Sequence, residues 1–382
     1  MKKILFFATI HKHFNAFHIP YIKWFKEHGC EVHVAANGME GVTVPYADKQ
    51  IEICVERNPF KLANIKACSQ LKRLIEQEHY DLVTCHTAMG GVIARLAGKE
   101  ARKKWGMRML YTAHGFHFFK GSPKKYWMMY YPMEKFLSRY TDAIITINHE
   151  DYEMVLSHGF KNKQTFIIPG IGINPERLFV ADKEKKTALR KEYGYKEDDF
   201  LLIYIAEYIP RKNHKFLIDA LPELVNSIPN VKYLFAGRGR DMELTKAYAN
   251  EKGVADHIDF LGFRKDIGNL IALSDVGISA SRQEGLGLNI AEEMFSGKPV
   301  VASMDRGHKE MIIHGENGYL FEQGNKEQYL MALTSLYNDP YLMKKMGAKA
   351  LATIQKFRLE NSLKEMEKIY NQFLNQNVNY YE

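Results

Sequence analysis

Short, near-continuous apolar runs alternate with longer amphipathic stretches along the whole chain, and this alternation restricts the fold more than any other feature. Residues 3–9, 30–37, 80–86, 108–114, 142–148 and 165–171 form the first set of runs. Strands apolar on both faces belong in a parallel sheet covered by helices on each side, because such a strand has no face to give to water. Between them, 61–78 and 89–104 repeat apolar residues at spacings of three and four, the period of a helix with one buried stripe. Strand and helix in turn specify a doubly wound α/β domain. Residues 180–199 then break the pattern with a charged stretch that holds no strand. The alternation restarts at 200–208 and continues through 231–237, 257–263, 275–281, 298–303 and 318–322, and 325–374 reads as helix throughout. The expectation is an α/β protein of two doubly wound, Rossmann-like parallel-sheet domains facing across a cleft. The first spans 1–180, the second 181–358, and 359–382 forms a helix that returns to the first.

The length of 382 residues suits two such domains, and 46% apolar with 26% charged residues excludes a disordered or fibrous chain. No run offers the roughly 18 uncharged apolar residues of a membrane span. The opening MKKILFFATIHKHFN has too short an apolar stretch for a secretory signal and reads as a buried first strand. Cys30, Cys54, Cys68 and Cys85 form no CxxC pair, which argues for a reducing cytosol and four small buried apolar side chains. The net charge of +8 is uneven: residues 1–180 hold 25 Lys+Arg against 16 Asp+Glu, so the whole excess lies in the first half. That half is expected to meet something anionic, unless its charge is only a solvated face.

The chemistry of an open α/β sheet gathers just beyond the carboxyl ends of its strands. Residues 281–303, SRQEGLGLNIAEEMFSGKPVVAS, are the richest such place. A strand ends at Ser281, a loop carries Gly285 and Gly287, and a helix begins near Leu288. Free backbone N–H groups at a helix start attract anions, and glycines let a ligand approach the backbone closely. Glu284 and Glu292 bracket this loop. Carboxylates repel phosphate, so they suit hydroxyls, and phosphate beside hydroxyls describes a nucleotide sugar. On its own such a loop is more often a helix cap with a surface glutamate.

The stretch resembles the E-x7-E signature of the family 4 retaining glycosyltransferases, which have the GT-B fold. AEYIPRKNHKFLIDAL (206–221), YLFAGRGRD (233–241), IDFLGFRKDIGNLIALSDVGISAS (258–281) and RGHKEMIIHGENGYLFEQGN (306–325) are similar to further blocks of that family, in order. TAHGFHF (112–118) and IIPGIGINPERLF (167–179) resemble its first-domain blocks, and the look is that of bacterial exopolysaccharide, capsule and lipid-linked oligosaccharide enzymes. The resemblance implies that Glu292 binds the ribose hydroxyls and that Glu284 faces the sugar. It implies that Gly285, Leu286, Gly287 and Leu288 cradle sugar and phosphate through their backbone. Lys212, helped by Arg211, would neutralise the diphosphate, the segment at Arg264 would read the base edge, and His114 would lie near the transferred sugar. Glu207 departs from the pattern, since many members carry Arg there; a carboxylate cannot bind a diphosphate, so it must turn away.

His11, His13 and His18 also stand where members often have glycines. Their loose spacing and the lack of an interleaved carboxylate argue for polar or acceptor-lining histidines rather than metal ligands. His117 reads as a structural residue. Residues 116–131 mix Phe116, Phe118, Phe119, Tyr126, Trp127, Tyr130 and Tyr131 with Lys120, Lys124 and Lys125; part of this must be core, because a helix here packs on the sheet, and the mixture suits either a membrane interface or a core helix with a solvated face.

The implied function is retaining transfer of a hexose or N-acetylhexosamine from a UDP-sugar to a lipid-linked or polysaccharide acceptor in cell-surface glycan synthesis. It needs no cofactor and no metal, and would take place on the cytoplasmic face of the plasma membrane at an anionic lipid surface. A sugar-nucleotide epimerase or a phosphorylase shares the architecture and differs in its products. A basic nucleic-acid-binding protein would account for the charge, yet no nucleic-acid motif is present and the basic residues are dispersed.

Overall fold

The computed structural model describes residues 1–375. The chain divides into two compact units: Met1–Ile171 joined by the chain from Glu360 onward, and Gly172–Leu359. The first crossing lies nine residues before the position read from the sequence. Residues 172–180 are built into the second unit: Ile173 pairs with Arg358, and Val180 packs on Gly297. The charged stretch after them is the helix Lys183–Glu192, whose Arg190 and Lys186 pair with Asp275 at 2.7 and 2.5 Å.

In the first unit seven strands form one parallel sheet: β1 (Lys3–Ile10), β2 (Glu31–Asn37), β3 (Lys49–Glu52), β4 (Leu82–His86), β5 (Arg108–Ala113), β6 (Ala143–Thr146) and β7 (Gln164–Ile167). Their order is β3-β2-β1-β4-β5-β6-β7. β3 is absent from the sequence reading: KQIE is polar and lies at the sheet edge against β2 alone, so it never buries both faces. The helix Leu359–Asn375 belongs to this unit. Its Tyr370 packs on Phe25 at 4.5 Å, and the Ser362 hydroxyl donates to the Pro169 carbonyl at 3.0 Å. Cys30 and Cys85 are buried, but Cys68 is only partly so and Cys54, just past the edge strand, is exposed.

Six strands make the second sheet: β8 (Phe200–Ile205), β9 (Val231–Ala236), β10 (Ile258–Gly262), β11 (Val276–Ser279), β12 (Val300–Ser303) and β13 (Gly318–Phe321). The order is β10-β9-β8-β11-β12-β13, again all parallel. Each sheet reverses its winding once, between β1 and β4 and between β8 and β11. A ligand site is expected beyond the strand ends at such a reversal.

The fold divides the aromatic–lysine segment between core and surface. Phe116 and Phe118 are fully buried, and Trp127, Tyr130 and Tyr131 pack against the same core from the helix Lys124–Ser138. The Trp127 indole N–H donates to the Phe119 carbonyl at 3.2 Å. Phe116 and Phe118 are core and the other three rings lean on it, partly buried, because one helical stripe faces the sheet. Lys120, Lys124, Lys125 and Met128 remain at the surface. Among the described residues no helix is long and apolar enough to cross a membrane.

Candidate functional site

The second unit's reversal brings together the loop after β8 and the loop after β11. Buried Tyr204 of β8 joins them: its hydroxyl donates to the Lys212 carbonyl at 2.7 Å and lies 2.9 Å from the Ser281 hydroxyl. The Arg282 backbone N–H donates to the Arg211 carbonyl at 2.9 Å. This scaffold sets Lys212 Nζ 2.5 Å from Glu284 Oε1, and Arg211 Nη1 3.4 Å from Glu284 Oε2. Arg211 also donates to the Gln283 carbonyl at 2.6 Å. Burial pushes the Glu284 carboxyl up, but Lys212, then Arg211 and His308, bring it down to about 2. Glu284 therefore stays ionised at neutral pH and serves as a hydrogen-bond acceptor, not a proton donor. Its ion pairing stabilises the fold above the ordinary glutamate range, and that contribution is lost as pH falls from about 4.5 towards 2.

The helix Leu288–Phe295 starts from Gly287, whose φ of 94° lies in the left-handed region. A Cβ there would come within 2.9 Å of His308 Cδ2. Gly307 is equally confined, since its Cβ would meet the Leu286 backbone at 2.8 Å. The loop from Glu284 to Gly287 is thus pressed on the helix Arg306–Lys309, and Arg306 Nε donates to the Glu284 carbonyl at 3.3 Å. His308 Nδ1–H donates to the Ser303 carbonyl at 2.8 Å, leaving its buried Nε2 without a partner among the described residues. Glu292, on the Leu288–Phe295 helix, pairs with Arg177.

Lys212, Arg211, Glu284 and Gly285–Leu288 thus form one constellation, with Glu292 on the helix that leaves it. Arg264 does not present a free guanidinium: it pairs with Asp266 at 2.8 Å, and the Tyr193 hydroxyl donates to the same carboxylate at 2.6 Å. Glu207 is exposed, turned out from the buried Tyr208 beside it. Sequence reasoning missed Arg177, Arg306 and His308. Arg306 and His308 lie in the block after the signature, and Arg177 in IIPGIGINPERLF, so each was within reach of a motif reading.

His114 lies in the first unit, just past β5, among histidines from three other places. Its Nε2 is 3.4 Å from His86 Nδ1, at the end of β4, and its ring is 5.2 Å from His13 and 5.8 Å from His18. Burial lowers the His114 pKa to about 4, so the ring is neutral. Beside the cluster lies a cavity of about 260 Å³ lined by Thr9, His13, Arg57, Thr87, His117 and Tyr130, among others. It opens at the reversal between β1 and β4, where Thr9 and Thr87 share a 2.6 Å hydrogen bond. His117 stacks on Tyr130 at 4.6 Å.

The glycosyl transferases group 1 family matches residues 185–353, and the glycosyl transferase 4-like family matches residues 3–148. EpsD of Bacillus subtilis, named as a glycosyltransferase, is 44% identical over 98% of this chain and 97% of its own. The chain belongs to the group 1 glycosyltransferases. A second member of wider distance is the UDP-Gal:alpha-D-GlcNAc-diphosphoundecaprenol alpha-1,3-galactosyltransferase of Escherichia coli, 26% identical over 75% of this chain and 74% of that one. Among solved structures, Anabaena HepE in complex with UDP and glucose superposes with a TM-score of 0.77 at 21% identity, covering 97% of this chain and 100% of HepE. Sucrose-phosphate synthase from Thermosynechococcus elongatus gives 0.81 at 17% identity, over 98% and 99%. These likenesses give this glycosyltransferase the GT-B fold of two Rossmann-like domains.

Proposed function

We propose that this glycosyltransferase moves a hexose or N-acetylhexosamine from a UDP-sugar to a lipid-linked saccharide, retaining the anomeric configuration. The observation that carries the reading is the pair of cations, Lys212 and Arg211, held against ionised Glu284 beside a glycine-capped helix start. In the reaction the bond from the sugar C1 to the β-phosphate oxygen breaks, and a bond from the acceptor oxygen to C1 forms. The departing nucleotide carries the growing negative charge, and its phosphate takes the acceptor proton on the same face. Lys212, Arg211 and backbone N–H groups supply the positive field such a leaving group needs, so the step requires no metal. Glu284 accepts from sugar hydroxyls and Glu292 from the ribose, where Arg177 holds the carboxylate in place. In the first unit, neutral His114 is the residue that the family resemblance offers for a sugar hydroxyl.

UDP is the nucleotide bound in the HepE complex, and the E. coli relative is named for a UDP-sugar and a diphosphoundecaprenol acceptor. The cavity beside Arg57 suits an anionic acceptor of that kind. Its lining segments run into exposed apolar side chains: Phe60 and Leu62 after Pro59, and Met128 before Tyr130, each 79% exposed. Lys61, Lys66, Lys120, Lys124 and Lys125 are exposed on the same two segments. Apolar side chains and lysines so arranged can rest on an anionic bilayer, each lysine contributing about 1 kcal/mol near the surface. On this reading the enzyme works at the cytoplasmic leaflet.

Two measurements test the reading. With UDP-sugars and a polyprenyl-diphosphate-linked sugar, mass spectrometry should find the acceptor extended by one residue, with EDTA present and with the donor's configuration kept. Free or epimerised sugar formed without acceptor, or strict dependence on a divalent cation, would overturn it. In flotation with phosphatidylglycerol vesicles, Phe60→Glu with Leu62→Glu should release the protein, and Lys120, Lys124 and Lys125→Glu should weaken binding at low salt. A parent protein that ignores anionic vesicles at low salt removes the membrane from the account.

A further inference from the structure

The histidines of the first unit do something the sequence spacing does not reveal. His13 lies in the short helix Lys12–Phe17 and His18 caps its end, and His114 lies just past β5. One ring nitrogen from each lies within 4.8 Å of the others. His18 is 2% exposed, and the Nε2 atoms of His13 and His18 are buried with no partner among the described residues. A buried ring nitrogen without a partner destabilises the fold, and the His13 and His18 rings lie 4.9 Å apart, so the pair calls for a ligand that satisfies both.

We propose that His13, His18 and His114 form a binding site for a divalent transition-metal cation of the zinc type. Three imidazoles with no carboxylate are the ligand set of a borderline-soft cation and not of magnesium or calcium. Zinc–nitrogen bonds of about 2.0–2.1 Å in a tetrahedral site need nitrogens about 3.4 Å apart, so the rings close in by roughly 1 Å on binding. His86 stands behind His114 at 3.4 Å and is itself 3.2 Å from the Thr84 hydroxyl, which orients the ligand ring from outside. His13 borders the cavity that also holds Arg57, so the fourth position is open to water or, with that cation beside it, to an anion. The other group of potential ligands, Glu31, His33 and Glu78, is already engaged. His33 pairs with Glu31 at 2.8 Å and Glu78 with Lys3 at 2.8 Å and Lys49 at 2.9 Å.

This inference goes beyond the proposed transfer reaction, shares only His114 with it, and gives the metal no step in it. The test uses the full chain without a histidine tag, stripped with EDTA and dialysed. Zinc is titrated against a competing chelator, and cobalt is added separately to read its visible spectrum. The expected result is one equivalent bound per chain and an intense tetrahedral cobalt spectrum. His13→Ala and His18→Ala should each weaken binding on the order of tenfold or more, with His13→Gln as the milder variant if either fails to fold. Glu78→Gln should bind as the parent does. Absence of stoichiometric binding at micromolar zinc overturns the site. So does binding that survives the double His13→Ala, His18→Ala replacement, or that is lost in Glu78→Gln.

Discussion

Replacing Lys212 with alanine should lower sugar transfer on the order of 100- to 1,000-fold, the loss expected when one pre-positioned donor to a developing charge is removed. Lys212 is held at 2.5 Å from Glu284 and its carbonyl is fixed by Tyr204, so its ammonium sits at a defined point beside the glycine loop. A diphosphate arriving there takes over part of that pairing. Glu284 keeps Arg211 at 3.4 Å after the substitution, so the loop retains a cation and the fold survives. Lys212→Arg should recover part of the loss, because charge returns with a different shape. Initial rates at saturating donor, with circular dichroism as the control for folding, measure this. A Lys212→Ala protein with parental turnover would show that the positive field lies elsewhere.

The largest expected effect on stability lies in the first unit, at Glu134. Arg95 is completely buried; its Nη2 meets Glu134 at 2.7 Å, its Nε donates to the Gly91 carbonyl at 2.8 Å, and its guanidinium lies 4.1 Å over the Tyr111 ring. Glu134→Ala would leave that guanidinium unpaired in the core, at a cost of about 3–5 kcal/mol. Replacing both partners together, Arg95→Met with Glu134→Leu, should cost much less, because the penalty belongs to the orphaned charge. The three tryptophans, Trp24, Trp105 and Trp127, all lie in the first unit, so tryptophan fluorescence during urea unfolding reports on it alone. A shift in the Glu134→Ala transition worth less than about 1 kcal/mol would show that water reaches Arg95.

Twelve of the thirteen strands among the described residues could be read from the sequence because they are apolar runs, the inner ones burying both faces. β3 could not, since an edge strand of Lys49, Gln50, Ile51 and Glu52 needs only one partner and keeps its polar side chains wet. The glycine loop and the helix start at Leu288 were legible because φ > 0 and close backbone approach leave glycine as the signature. Arg264 was not, for its pairing with Asp266 two residues on is a matter of side-chain rotamers. Composition alone does not divide 116–131 between core and interface; the helix Lys124–Ser138 turns Trp127 and Tyr131 towards the core and leaves Met128 outside. The meeting of His13, His18, His86 and His114 is beyond any local pattern, since β1, β4 and β5 adjoin only through the order of the sheet.

On the proposed function, the second unit binds a nucleoside diphosphate through the loops after β8 and β11. Calorimetric titration of UDP into the parent and into Glu292→Ala tests it most directly. The account predicts saturable binding to the parent without added metal, and an affinity lower on the order of 10- to 100-fold in the variant, as expected when a charge-assisted contact to the ribose is lost. Equal affinity in the two proteins, or no UDP binding by the parent, would contradict it.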